Sequence, residues 1–125
     1  MGKKNKLLTE VELEMMTILW SLEGATVNEV LERLPRGREL AYTSVSTILR
    51  ILEQKKMVGS RKEGRGHRYF AKIKKAEYEA VSVHHLVTNV FGNEPVALVR
   101  RLLGTPGVSE AEIQQIKDLL NETSP

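Results

Sequence analysis

The sequence predicts a mainly α fold with a small β-hairpin, an α+β arrangement in which a winged helix-turn-helix domain precedes an all-helical one. Three observations carry this. Three amphipathic helical stretches come first, a glycine-turned hairpin rich in lysine and arginine follows, and helical periodicity returns beyond Lys75. The expected division is residues 1–74 for the winged domain and 75–125 for the helical one.

Thr9-Glu10-Val11-Glu12 has the form of a capping box, with the threonine side chain serving one orphan backbone donor and the glutamate reaching back to another. In the helix it opens, Val11, Met15, Ile18, Leu19 and Leu22 recur at three- and four-residue spacing, Met16 and Trp20 broaden the stripe, and Gly24 stops it. Thr26-Val27-Asn28-Glu29 is a second capping box; its short helix should bury Val27, Val30, Leu31 and Leu34 and end at Pro35. A polar linker over 36–39 leads to a third helix, from near Tyr42 to about Lys56. Ala41 and Tyr42 are poor caps, so Thr43 is the alternative cap.

Placing residues of the third helix about 100° apart puts Val45, Ile48, Leu49 and Leu52 in one arc. Thr43, Ser46, Thr47, Arg50 and Gln54 occupy the opposite arc, with Ser44 at its margin. The free face carries hydroxyl, amide and guanidinium groups and no carboxylate, which suits a polyanion. Residues 57–61 and 67–73 read as strands around Glu63-Gly64-Arg65-Gly66, the two glycines being expected at positive φ. Tyr69 and Phe70 point to opposite faces of the returning strand, so one of them packs on the core.

Beyond Lys75, one helix is marked by Tyr78, Val81, Leu86, Val87, Val90 and Phe91, and a second by Val96, Val99, Leu102 and Leu103. Ser109-Glu110-Ala111-Glu112 is a third capping box, opening a helix with Ile113, Ile116, Leu119 and Leu120. A segment this small has too little interior for all these stripes, so a second copy is expected to cover Leu86, Val90, Val99, Leu102, Leu103, Ile113, Ile116 and Leu120. The alternative is that these helices fold back on the winged domain as one core. A homodimer would set two recognition helices one duplex turn apart, or a multiple of it, matching a palindromic site.

Composition, 41% hydrophobic and 28% charged, is that of a globular protein. The sequence has no cysteine, hence no disulfide framework and no thiolate metal site. No apolar run reaches the roughly 18 to 20 residues of a membrane span, and Lys3-Lys4-Asn5-Lys6 followed by Leu7-Leu8 lacks a signal-peptide core, so a cytoplasmic location is expected. The formal charge of +3 hides an asymmetry, with +7 up to Lys75 and −4 beyond it. Between Lys55 and Lys75 nine cations face only Glu63. Such a local field favours nucleic acid over neutral partners.

Double-stranded DNA is therefore the expected partner. Tyr42, Thr43, Ser44, Ser46, Thr47 and Arg50 are the candidates for the groove, and Arg61, Lys62, Arg65 and Arg68 those for phosphate. Arg50 has the geometry either to read guanine or to clamp phosphate. Thr43 and Ser44 are as well suited to capping the helix, and Tyr42 to stacking, bonding phosphate or covering the core edge. His84 and His85 are adjacent and point about 100° apart on a helix, which disfavours one shared metal. No nucleophile elbow, phosphate-cradling glycine loop or apolar carboxylate pair is present, so neither an enzyme nor a cofactor is expected. The rival readings are a winged-helix protein-interaction module, which calls for a hydrophobic or acidic recognition face, and a metal-responsive sensor using His84, His85 and carboxylates.

Leu40-Ala-Tyr-Thr-Ser-Val-Ser-Thr-Ile-Leu-Arg-Ile-Leu-Glu-Gln-Lys-Lys-Met-Val58, preceded by Ile18-Leu19-Trp20 and Ala25-Thr-Val-Asn-Glu-Val30 and followed by Gly64-Arg-Gly-His-Arg-Tyr-Phe70, resembles the BlaI/MecI/CopY family of penicillinase repressors. The resemblance covers nearly the whole chain. It implies a homodimeric bacterial winged-helix transcriptional repressor with a C-terminal dimerisation domain, an operator related to TACA/TGTA, DNA contacts at Thr43, Ser44, Ser46 and Thr47, and a membrane sensor peptidase as a signalling partner. Three departures stand out. Ser46 replaces a basic residue of the β-lactamase repressors, Arg101-Leu102 replaces the Asn-Phe pair at which those repressors are cleaved, and the cysteine cluster of the copper-responsive branch is missing.

Overall fold

The computed structural model describes residues 7–123, so the lysine-rich start, Lys3 to Lys6, lies outside the described residues. The elements run α1 (Glu10–Ser21), β1 (Ala25–Thr26), α2 (Val27–Glu32), α3 (Tyr42–Gln54), β2 (Val58–Glu63), β3 (Gly66–Ala71), α4 (Lys75–Asn89), α5 (Pro95–Leu103) and α6 (Glu110–Thr123). This is the winged helix-turn-helix order, helices first and hairpin after, followed by helices alone.

All three capping boxes form. The Glu12 N–H donates to Thr9 Oγ1 at 3.2 Å while Thr9 N–H donates to Glu12 Oε1 at 2.9 Å. Thr26 with Glu29 and Ser109 with Glu112 repeat the reciprocal pattern. α3 ends differently. The Met57 N–H bonds the Leu52 carbonyl and the Lys56 N–H that of Glu53, both at 3.0 Å, which is a Schellman closure with Lys56 at φ 66° where glycine is usual. That closure reverses the chain directly into β2.

The sheet has three antiparallel strands in the order β1-β3-β2. β1 is only a two-residue pairing, Ala25 with Tyr69 and Thr26 with Arg68, too short to leave an alternating pattern in the sequence. The hairpin is tighter than expected. Glu63 pairs with Gly66, so only Gly64 and Arg65 turn the chain, and of the two glycines Gly64 alone takes positive φ, at 61°. Glycine at the first central position is the requirement of a type II′ turn, whose twist matches the flanking strands. Gly59 is needed for another reason, because a Cβ there would lie 2.7 Å from the Phe70 ring.

Met15, Met16, Leu19, Val30, Val45, Leu49, Leu52 and Val58 are fully buried and form one core with Ile18, Ala25, Val27, Met57 and Tyr69. Leu31, Leu34 and Ile48 are half-buried at its edge, and Phe70 is half-buried while Tyr69 is in the core, so Tyr69 is the inward member of that pair. Glu12 is buried as well, at 6% exposure, with Lys55 Nζ at 2.8 Å from its Oε2. Burial pushes this carboxyl up, but the Lys55 ammonium and the Thr9 N–H outweigh it and hold it below its ordinary 4.5.

The compact units divide between Ser82 and Val83, inside α4 and eight residues beyond the expected boundary. Tyr78 explains the shift: it is buried, its ring centroid is 5.8 Å from that of Trp20, and its hydroxyl accepts the Leu8 N–H at 3.0 Å. The Trp20 indole N–H reaches the Ile73 carbonyl at 2.9 Å, so the start of α4 is anchored to α1. In the second unit no residue of α5 is buried, and Val90 and Val96 are about two-thirds exposed, at 65% and 66%.

Two outcomes follow from these local features. Lys56→Gly should raise stability by about 1 kcal/mol in denaturant unfolding, since it removes a left-handed side-chain conformation. Glu12→Gln keeps the capping acceptor and loses the ion pair. Because the native carboxyl is held low, its stabilisation is complete above pH 4.5 and is lost as pH falls through the depressed value. The gap in melting temperature between the parent and this variant should therefore be widest near neutral pH and close on acidification.

Candidate nucleic-acid interface

α3 presents the candidate groove residues because its other side is committed to the core. Val45, Leu49 and Leu52 have no exposed surface, whereas Tyr42, Thr43, Thr47, Arg50 and Gln54 are exposed and Ser44 and Ser46 are half-exposed. The cap of α3 is Ala41, which has no side-chain acceptor, and the first intrahelical bond runs from the Val45 N–H to the Ala41 carbonyl at 3.1 Å. Thr43 and Ser44 are therefore inside the helix and do not cap it. Among the described residues, the hydroxyls of Thr43, Ser44, Ser46 and Thr47 make no side-chain hydrogen bond to the protein. The positive end of this helix and a row of hydroxyls face outward together.

Glu53 is the sole carboxylate on α3, and it is turned toward the hairpin, where Ser60 Oγ donates to it at 2.7 Å. Tyr69 is the strand partner of Ser60. Burial pushes Tyr69 up, the Glu53 charge pushes it further, and Arg50 pulls the other way. The Ser60–Glu53 hydrogen bond marks the junction between α3 and the hairpin. Ser60 and Glu53 were not among the sequence candidates; the strand register that pairs Ser60 with Tyr69 is what brings them to this junction.

On the hairpin, Arg61, Lys62 and Arg65 are exposed and form no salt bridge among the described residues. Arg65 occupies the turn itself. Arg68, expected with them as a phosphate ligand, has a different environment. Its Nε and Nη2 donate to the two oxygens of Glu63 at 2.9 and 3.0 Å, and its Nη1 donates to the Gly24 carbonyl and to Glu29 Oε1, both at 3.1 Å. The guanidinium is engaged within the protein because carboxylates on both sides claim its donors, an arrangement that a count of cations along the sequence does not reveal. Lys55 is likewise engaged, with Glu12, and Arg38 with Glu14 at 2.7 Å. His67 is exposed on the hairpin, with its ring 6.3 Å from that of Tyr69.

In the second unit, Leu86, Val90, Val99, Leu102, Leu103 and Leu120 are exposed and Ile113 and Ile116 are half-buried. His84 and His85 are exposed on α4. Among the described residues no three of His, Cys, Asp and Glu converge as metal ligands, and no helix is long and apolar enough to cross a membrane.

The sequence profile described as penicillinase repressor matches residues 8–122. The penicillinase repressor of Bacillus licheniformis is 26% identical over 120 residues, 96% of this chain and 94% of the relative. The transcriptional regulator BlaI of Mycobacterium tuberculosis is 43% identical over 63 residues, 50% of this chain and 46% of that protein. The solution structure of the DNA-binding domain of the repressor BlaI aligns with a TM-score of 0.51 at 28% identity, covering 57% of this chain and 87% of that domain. The resemblance read from the three sequence blocks and the winged-helix order of the fold thus meet in one assignment. The chain belongs to the penicillinase repressor family, whose members are transcriptional repressors and not enzymes.

Proposed function

We propose that this chain acts as a homodimer on an inverted-repeat operator, with α3 in the major groove and the β2–β3 wing along the phosphates, and that it blocks transcription sterically. The observation that carries the reading is the surface formed by α3 and the wing. The hydroxyls of Thr43, Ser44, Ser46 and Thr47 follow an uncapped helix start, the Arg50 guanidinium stands further along the same exposed face, and among the described residues Arg61, Lys62 and Arg65 of the wing pair with no carboxylate. A face of this kind fits a groove edge and a phosphate row at once. It is neither hydrophobic nor acidic, so it does not fit a protein-interaction module.

The roles divide by chemistry. Arg50 is the residue for base reading, because it is exposed on α3 and, among the described residues, forms no salt bridge. Thr43, Ser44, Ser46 and Thr47 supply hydroxyls to bases or phosphate, and the free N–H groups at the start of α3 suit a phosphate oxygen. Arg61, Lys62 and Arg65 contribute affinity without sequence preference.

Dimerisation is supported by the second unit. Val90, Val96, Val99, Leu102 and Leu103 remain 38–66% exposed, more apolar surface than a small monomeric unit ordinarily leaves in water. A second copy related by a twofold axis would cover the same patch on both chains and set the two recognition helices at the spacing a palindrome requires.

Gel shift of the full chain against an inverted-repeat duplex and a random duplex should show affinity falling steeply with salt, on the order of 10³–10⁵ between roughly 50 and 200 mM if 6–10 phosphates are neutralised. Absence of binding to any duplex at low salt overturns the reading. Arg50→Ala should cost about 1–3 kcal/mol on the operator and little on random DNA, whereas Arg65→Ala should weaken both alike and lower the salt slope by about one. In sedimentation equilibrium the parent should be a dimer and Leu102→Asp a monomer with its helix content retained, because Leu102 is already 45% exposed in the single chain. A parent monomeric at micromolar concentration refutes the dimer.

A further inference from the structure

The wing receives little support from the sheet. β1 pairs only with Arg68 and Tyr69, so between Arg68 and the turn β2 and β3 have only one another. A two-stranded ribbon is marginal in water by itself. Its register also sets Arg61 directly across from Arg68, a like-charge pair that works against the hairpin.

At that point the structure supplies a brace. The Arg68 fork grips Glu63, next to the turn, through Nε and Nη2, and its remaining nitrogen reaches Gly24 and Glu29 on the helical body at 3.1 Å. Glu29 Oε1 also accepts the Thr26 N–H at 3.0 Å, so one oxygen closes the α2 capping box and receives the brace. Gly24 lies against the arginine stem: a Cβ on it would be 3.3 Å from Arg68 Cγ and Cδ, and its φ is 135°. The Arg68 hydrogen bonds hold the Glu63 carboxyl below the usual carboxylate range. Glu29 is held low first by the Thr26 N–H and, against partial desolvation, by Arg68, so the brace stays charged throughout the neutral range.

We propose that Arg68 is a positioning residue: a two-sided brace, through Glu63 and through Glu29 with Gly24, that sets the wing against the helix-turn-helix body so that Arg61, Lys62 and Arg65 meet phosphate, without touching DNA itself. The inference rests on the DNA-binding reading above for its consequence and on the free protein for its geometry. A bidentate fork is essential to it, and lysine, a point charge, does not reproduce the fork.

The test uses the full chain with Arg68→Met, Arg68→Lys and Glu63→Gln, and with Arg65→Ala as the phosphate-ligand control. In the free protein, amide exchange over residues 61–67 should accelerate in all three brace variants while α3 amides keep their protection. On operator DNA, Arg68→Met and Arg68→Lys should each lose about tenfold in affinity with the salt slope unchanged, because the loosened wing still reaches phosphate but must be ordered on binding, whereas Arg65→Ala lowers the slope by about one. If Arg68→Lys retains parental affinity, or if Arg68→Met lowers the slope by about one, Arg68 is a phosphate ligand and the proposal falls. Unchanged wing exchange also overturns it. Should Arg68→Met fail to fold, Glu63→Gln reads the same brace from the other side. A parent that binds no duplex defeats the DNA-binding reading, while the exchange measurements on the free protein still decide whether Arg68 holds the wing.

Discussion

Burial of one stripe of α3 is the constraint on which the rest of the molecule depends. Val45, Leu49 and Leu52 are wholly inside, and each such side chain contributes about 1.5–3 kcal/mol, against about 1 kcal/mol for a typical hydrogen bond. Turning the helix by one residue position would expose this stripe and drive polar side chains such as Ser46 or Arg50 into the core. The azimuth of α3 is therefore set by apolar packing, and its outward face of hydroxyls and one guanidinium is the consequence. The uncapped start at Ala41 adds a positive helix end to that same face.

Charge then sorts into two populations. Arg38, Lys55 and Arg68 are matched within the domain to Glu14, Glu12, and Glu63 with Glu29, where they tie helices and hairpin to one another. Arg50, Arg61, Lys62 and Arg65 have no such carboxylate partner within salt-bridge distance among the described residues and stand ready for an external anion. Net charge counts both populations alike. On the proposed reading the second carries the salt-sensitive attraction expected of a DNA-binding surface, while the first is engaged in contacts within the domain.

The second unit follows a different logic. Its helices are well formed, with the Ser109–Glu112 capping box and Pro95 at the start of α5, yet they leave valines and leucines in water. Local helix signals and complete burial are separate matters, and here the first is met within one chain while the second, on the proposed reading, is met by a twin. The dimer would then convert one modest DNA-binding face into a pair at fixed spacing, which is how a short half-site gains selectivity.

Much of this molecule was legible in its amino-acid order. The capping boxes at Thr9, Thr26 and Ser109, the buried arc of α3 and the hairpin between residues 57 and 73 depend on neighbours a few positions apart, and local periodicity and turn chemistry record such neighbours directly. The family resemblance was carried by the same blocks. Tertiary structure alone decided the rest. The two-residue β1 has no pattern of its own, and Tyr78 draws the start of α4 onto the first unit. Arg68 donates to Glu29, 39 positions away in sequence. These outcomes share one physical cause: an arginine, a tyrosine or a two-residue strand takes its role from partners that chain folding delivers from a distance, and linear spacing holds no trace of them.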